Sequence, residues 1–367
     1  MKVKSRISSF ELFFVLVHTM VGVGLLSLPY RTNIAAGNDG WISVLITGIM
    51  IQLIVLIIWF LCRKFPNLTL YDFSQVILGK TPGSVVNLLY ILYTLIVVSY
   101  VFVIFLETLK RWILPETPAW ILFLMGGFLL IYGGTSTIKQ MVALFSFLFL
   151  FILLLCFIKV LVFHDSPKDI RYLLPIGSNG AWTILKSTSS TFVSFLGFET
   201  LLIYYAFMKQ PKKLSAMKGA FLAVLFVILV YLFIVISSTI LLSPDEINHT
   251  PEPVLYILSA SGMTLISRFD LIFLAIMSLI VVTTIISYTF SASIGISKLI
   301  HVKHKTSVIL FGVFVLAVSA AFYYLELAIP GQWINLLIII FGLIIPIILL
   351  FITIIFKREE SSIHEKN

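Results

Sequence analysis

Ten apolar runs, nearly all long enough to cross a bilayer, take up most of this chain and leave only short polar joints between them. They fall at residues 8–30, 41–62, 84–109, 119–135, 140–163, 182–208, 214–242, 268–297, 306–327 and 332–356. A spanning helix needs about 20 apolar residues, because backbone groups in lipid must be satisfied inside their own segment. Composition agrees: 60% of the 367 residues are hydrophobic and 11% are charged, against about 25% charged in soluble domains. No water-soluble fold buries that much apolar surface, so the solvent for most of it must be lipid. The pattern predicts an all-α integral membrane protein, a single transmembrane domain over 1–367 with short tails at 1–7 and 357–367. The fourth run is the weakest, interrupted by Gly126-Gly127 and Gly133-Gly134. Residues 66–83 are too polar to cross, and a short interfacial helix is expected near Leu70–Leu78.

A net charge of +9 would suggest nucleic acid in a soluble protein. Here the basic residues lie between apolar runs, where they set orientation in the bilayer. Seventeen of the 25 Lys and Arg residues fall on the N-terminal side. The other eight are Arg31, Lys110, Arg111, Lys159, Lys168, Arg171, Lys186 and Arg268. That bias puts both termini in the cytoplasm, which an even number of spans requires. The basic start, Met1 to Arg6, resembles a signal peptide, but no small-residue cleavage site follows, so an uncleaved first span is expected. Cys62 and Cys156 sit at the end of one run and inside another, which argues against a disulfide framework and asks no more than a packing role of either. The sequence holds no HExxH, Walker loop, G-x-S-x-G or Cys-x-x-Cys, so neither catalysis nor a metal cofactor is supported.

Ten spans with five in each half predict two inverted repeats, about 8–163 and 182–356, in a LeuT-like arrangement. In such folds the first helix of each repeat is broken at mid-membrane and forms the ligand site. Spans one and six carry the damage. Span one reads Thr19-Met-Val-Gly22-Val23-Gly24-Leu-Leu-Ser27-Leu-Pro29. Two glycines one residue apart weaken the helix by ~1 kcal/mol each. A break there exposes amide N–H groups at the positive end of a half-helix, which attracts a carboxylate. The same glycines would equally permit close helix packing. Span six reads Ser194-Phe195-Leu196-Gly197-Phe198-Glu199-Thr200. A carboxylate at that depth costs about 2.5–3.5 kcal/mol, so Glu199 should face the bundle interior, more as a brace for the break than as a ligand contact.

Two further stripes follow helical spacing. Thr284, Ser287, Ser291, Gly295 and Lys298 share one face of span eight, for tight packing or for an ion or water path beside span one. Tyr93, Val97, Tyr100 and Glu107 share a face of span three, where Tyr100 is a candidate gate. Span five from Phe145 to Leu155 carries no lysine or carboxylate, which removes one device for proton-coupled transport.

Several blocks taken together resemble a known family. They are Gly22 to Pro29 continuing through Ala36-Gly37-Asn38-Asp39-Gly40-Trp41-Ile42-Ser43, Leu78-Gly79-Lys80 with Gly83, Phe195 to Glu199, and Arg268-Phe269-Asp270. These are similar to the spore germination permease family, the B subunits of GerA-type germinant receptors of endospore-forming bacteria. One departure stands out: the family pattern would put a tryptophan shortly after Asp270, where Met277-Ser278 stand. The resemblance implies an amino acid–polyamine–organocation fold, residence in the spore inner membrane, and assembly with an A subunit and a lipoprotein C subunit. It further implies a small amino-acid ligand held by Gly22, Val23, Gly24 and Ser27 with Ser194, Phe195, Gly197 and Phe198. Tyr100, Glu199, Thr284 and Ser287 would gate or brace that site. Phe195, Leu196 and Phe198 point to a small or branched apolar amino acid rather than a charged one. A working amino-acid permease is the alternative on the same residues.

Overall fold

The computed structural model describes residues 6–209, 215–261, 268–327 and 331–357. Most of both tails, and the joints at Pro211 and Pro330, lie outside the described residues. Each of the ten apolar runs is helical. Span one is split into Ser9–Met20 and Gly24–Ala36, and a tight turn at Gly37–Asp39 leads into span two, Gly40–Lys64. Spans three, four and five are Lys80–Trp112, Ala119–Gly134 and Ile138–Asp165. Span six is again split, Ala181–Phe195 and Phe198–Phe207, bent by 57° at the break. Spans seven, eight and nine are Ser215–Leu241, Phe269–Leu299 and His304–Tyr324. Span ten runs from Gly331 to Ile355 with a π-helical turn at Ile340–Ile344. The expected interfacial helix forms at Leu70–Leu78.

Local chemistry explains the ends. Ser8 and Glu11 close a capping box at the start of span one, Thr69 and Asp72 at the interfacial helix, and Thr137 and Gln140 at span five. Each satisfies amides that a helix start leaves unpaired. Glu11 also pairs with Lys139 at 3.3 Å, an ion pair at the membrane edge. Ile7 exchanges backbone bonds with Phe207 (2.7 Å) and Lys209 (2.8 Å), which ties the start of span one to the end of span six on the N-terminal face. Exposed Trp120, Trp182 and Trp333 open spans four, six and ten on the opposite face. Tryptophans at one depth mark a membrane–water interface.

The glycines of span four do not interrupt it. A Cβ on Gly126 would meet the Phe102 ring at 2.4 Å, and one on Gly127 would meet Leu316 at 2.6 Å. With only 16 residues, span four packs by backbone approach rather than by long side chains. The stripe on span eight faces inward along its length. Thr284 donates to the His18 carbonyl at 2.9 Å, Gly295 lies under the Tyr71 ring, and Lys298 pairs with Asp72. Arg268 grips Asp270 with two bonds of 3.0 and 2.9 Å, a fork that opens span eight. The two cysteines are free.

One reading is corrected. Lys159, which its position in the sequence places among the eight basic residues of the far side, is 1% exposed inside span five. Its Nζ donates to Ser238 Oγ at 3.5 Å, surrounded by apolar residues of spans one, five and seven. Span five therefore does carry a buried lysine, one turn past the Phe145 to Leu155 stretch. The far-side count loses a member, and the bias toward the N-terminal side grows.

The loop after span one has a role in tertiary structure. Asp39 is fully buried and accepts from the amides of Gly177 (2.7 Å) and Asn179 (3.2 Å), in the segment that leads into span six. Asn179 Nδ2 donates in turn to the Ala36 carbonyl at 2.9 Å. Two loops 138 residues apart are thus clamped at the far face. Asp39→Ala removes the acceptor of two part-buried hydrogen bonds, at about 0.5–1.5 kcal/mol each. A melting curve of the purified protein should drop accordingly, and an unchanged midpoint would remove the clamp from the account.

Candidate functional site

The two breaks meet. Span one stops at Met20, where Val21 turns extended (ψ 104°), and its second half resumes from Gly24. Leu25 and Leu26 donate back to the Gly22 and Val23 carbonyls at 3.1 and 3.2 Å, in the tighter pattern of a helix start. Among the described residues the amides of Gly22, Val23 and Gly24 find no acceptor. Span six breaks at Gly197, whose φ of +127° suits glycine alone. A Cβ on Gly197 would meet the Thr19 carbonyl carbon and oxygen at 2.6 Å. The break in span six therefore lies directly against the end of the first half of span one.

Tyr231 of span seven holds the two breaks together. Its hydroxyl lies within donating distance of the Met20 carbonyl (2.9 Å) and the Ser194 carbonyl (2.7 Å). Sequence reasoning missed it, although it is the lone tyrosine of the seventh run. Glu199 is fully buried just past the break. Its Oε1 accepts from Tyr93 (2.7 Å) and Tyr288 (2.5 Å), and its Oε2 accepts from the Gly197 amide (3.1 Å). One carboxyl thereby joins spans three, six and eight.

A small cavity of about 30 Å³ lies between the breaks. Gly22, Val23 and Gly24 form one wall, and Val193, Ser194 and Leu196 form another. Ser194 Oγ is buried and has no hydrogen-bond partner among the described residues, and a Cβ on Gly24 would sit 3.4 Å from it. Thr19, Met20 and Thr284 line the side toward the N-terminal face, while Tyr100, Ile104 and Arg31 line the other. Arg31 Nη2 donates to the Tyr100 hydroxyl at 3.3 Å. Beyond them opens a vestibule of about 720 Å³, which shares Tyr100 and Ile104 with the cavity and adds Glu107 and Glu326. The cavity has room for about two waters, so a larger guest needs its lining, the Arg31–Tyr100 contact included, to move apart.

Of the residues expected at the site, Gly22, Val23, Gly24, Ser194, Tyr100 and Thr284 surround this cavity. The others sit elsewhere. Phe195 packs edge-on against Tyr231 at 5.0 Å. Phe198 lies against Gly342 in the π-helical turn of span ten. Gly197 shapes the break without lining the cavity, and Ser27 is half-buried about one turn further along span one. Glu199 braces, and Ser287 bonds to Thr19 at 2.6 Å and to Tyr204 at 2.9 Å on the N-terminal side of the cavity. The apolar wall is made by Val193, Leu196, Val101 and Ile104 instead of the two phenylalanines.

Comparisons with known proteins agree with this architecture. A family profile described as spore germination protein matches residues 6–328. Spore germination protein GerQB of Bacillus cereus is 25% identical over 320 residues, covering 86% of this chain and 87% of that one. Spore germination protein YndE of Bacillus subtilis is 26% identical over 302 residues, 82% of each chain. Spore germination protein A2 of the same species is 27% identical over 316 residues, 84% of each. Among solved structures, a substrate-bound, outward-open Na+-coupled sialic acid symporter superposes with a TM-score of 0.62 at 14% identity. It covers 93% of this chain and 78% of that chain, a likeness of fold. With the profile spanning nearly all of the chain, this multi-pass membrane protein belongs to the spore germination permease family.

Proposed function

We propose that this protein is the nutrient-binding membrane subunit of a spore germinant receptor, and that it senses a small amino acid between spans one and six. The observation that carries the reading is the unpaired amides of Gly22, Val23 and Gly24 beside the unpartnered Ser194 hydroxyl. Bare N–H groups at a half-helix start suit a carboxylate, and the buried hydroxyl offers an acceptor for an ammonium. The receptor reading adds an A-type membrane subunit and a lipoprotein C subunit as partners, in the spore inner membrane with both termini cytoplasmic.

Gly24→Val tests it. The added carbons would press on Ser194, whose Cα lies 3.2 Å from a Cβ at this position, and would fill the cavity. Spores carrying the variant as their sole receptor of this kind should lose the response to the cognate nutrient, with the partner subunits still present by immunoblot. A normal germination rate would reject the site. Net transport is the second reading, favoured by the polar column Thr19, Ser287 and Tyr204, which continues from the cavity toward the N-terminal face. Saturable, gradient-driven amino-acid uptake into reconstituted vesicles would decide for it.

A further inference from the structure

Arg31, one of the basic residues whose placement orients the chain, also roofs the cavity. It is half-buried, and among the described residues no carboxylate pairs with it. Its recorded contact is a neutral phenol, Tyr100, at 3.3 Å. An arginine pointing back toward the start of its own helix leans over whatever that helix start holds. The charge order along the path is distinctive. The vestibule carries two carboxylates, Glu107 and Glu326, and the neck below it carries one guanidinium. Cations gather in the vestibule and then meet a like charge at the neck.

We propose that Arg31 is the specificity-determining residue of this site: a charge filter that admits amino acids with neutral side chains and rejects those whose side chain ends in a cation. The inference rests on the binding reading above and adds which ligands are excluded and by which group. Two like charges about 6 Å apart, at an effective dielectric of about 20, disfavour binding roughly 100-fold.

Two probes of the same shape isolate the charge: L-norvaline, whose side chain ends in a methyl, and L-2,4-diaminobutyrate, which puts an ammonium in the same place. Affinities are read from ligand-dependent melting of the full-length protein in detergent, since a specific ligand stabilises the folded state. In the wild type, norvaline should bind roughly 100-fold more tightly than the diamine. Arg31→Gln should shrink that ratio at least tenfold with the ligand-free midpoint unchanged, because only the Tyr100 contact is lost. Arg31→Lys should keep the ratio, and Arg31→Glu should invert it. An unaltered ratio in Arg31→Gln would overturn the filter while leaving the binding site intact. No stabilisation of the wild type by either probe would overturn the binding reading itself.

Discussion

Gly197→Ala should lower stability by about 3 kcal/mol or more and remove any ligand-dependent stabilisation. Two costs add. A backbone held at φ +127° costs a non-glycine residue about 1–3 kcal/mol. The new Cβ would also stand 2.6 Å from the Thr19 carbonyl and 2.9 Å from the Met20 amide. Those are main-chain atoms at the end of the first half of span one and cannot swing aside like a flexible side chain. Relief would require the two breaks to separate, which would pull Tyr231 off the Met20 and Ser194 carbonyls it bridges. Melting in detergent, with and without ligand, checks both parts. An alanine variant that melts like the wild type would mean that the contact between the breaks is not closely packed.

The second large effect is expected at Glu199. Replacing it with alanine strands two buried phenols, Tyr93 and Tyr288, and the Gly197 amide. At about 1–3 kcal/mol for each buried group left without a partner, the loss should be at least 3 kcal/mol. Glu199→Gln should cost less, since one carbonyl oxygen still accepts from the tyrosines while its amide meets the Gly197 N–H badly. A double-mutant cycle sharpens the claim. Tyr93→Phe and Tyr288→Phe should each be milder in the Glu199→Ala background than in the wild type, because their acceptor has already gone. Additive losses would show that the carboxyl does not join spans three, six and eight as described. The readout is stability, so it separates a brace from a ligand contact.

Much of the architecture is legible in the sequence because lipid leaves the chain few choices. Runs of about 20 apolar residues must be helical, since no water is present to satisfy the backbone. The interfacial helix at Leu70–Leu78 follows from a segment too polar to cross the bilayer, while the Thr69–Asp72 capping box that starts it is seen in the structure. The breaks at Gly22-Val23-Gly24 and at Gly197 are readable because glycine where a spanning helix should be regular marks a place where it stops. The Gly37-Asn38-Asp39 block is visible as a motif, but its purpose lies in the loop before span six, far away in sequence.

Direction is what a linear pattern does not reveal. Phe195 and Phe198 flank the break and look like a pocket wall, but the 57° bend at Gly197 turns them toward spans seven and ten. Lys159 sits near a helix end and reads as a surface charge, but the helices around span five close over it. Arg31 and Tyr100 are 69 residues apart and acquire a joint meaning only where spans one and three cross. The amino-acid order alone determined the solvent of the chain, where its long apolar helices lie and the places where two of them break, because each follows from hydrogen bonding within a short segment. Which side chains surround the gap between those breaks was decided by the packing of ten helices, because a side chain's direction depends on the bend of its own helix and on neighbours distant in sequence.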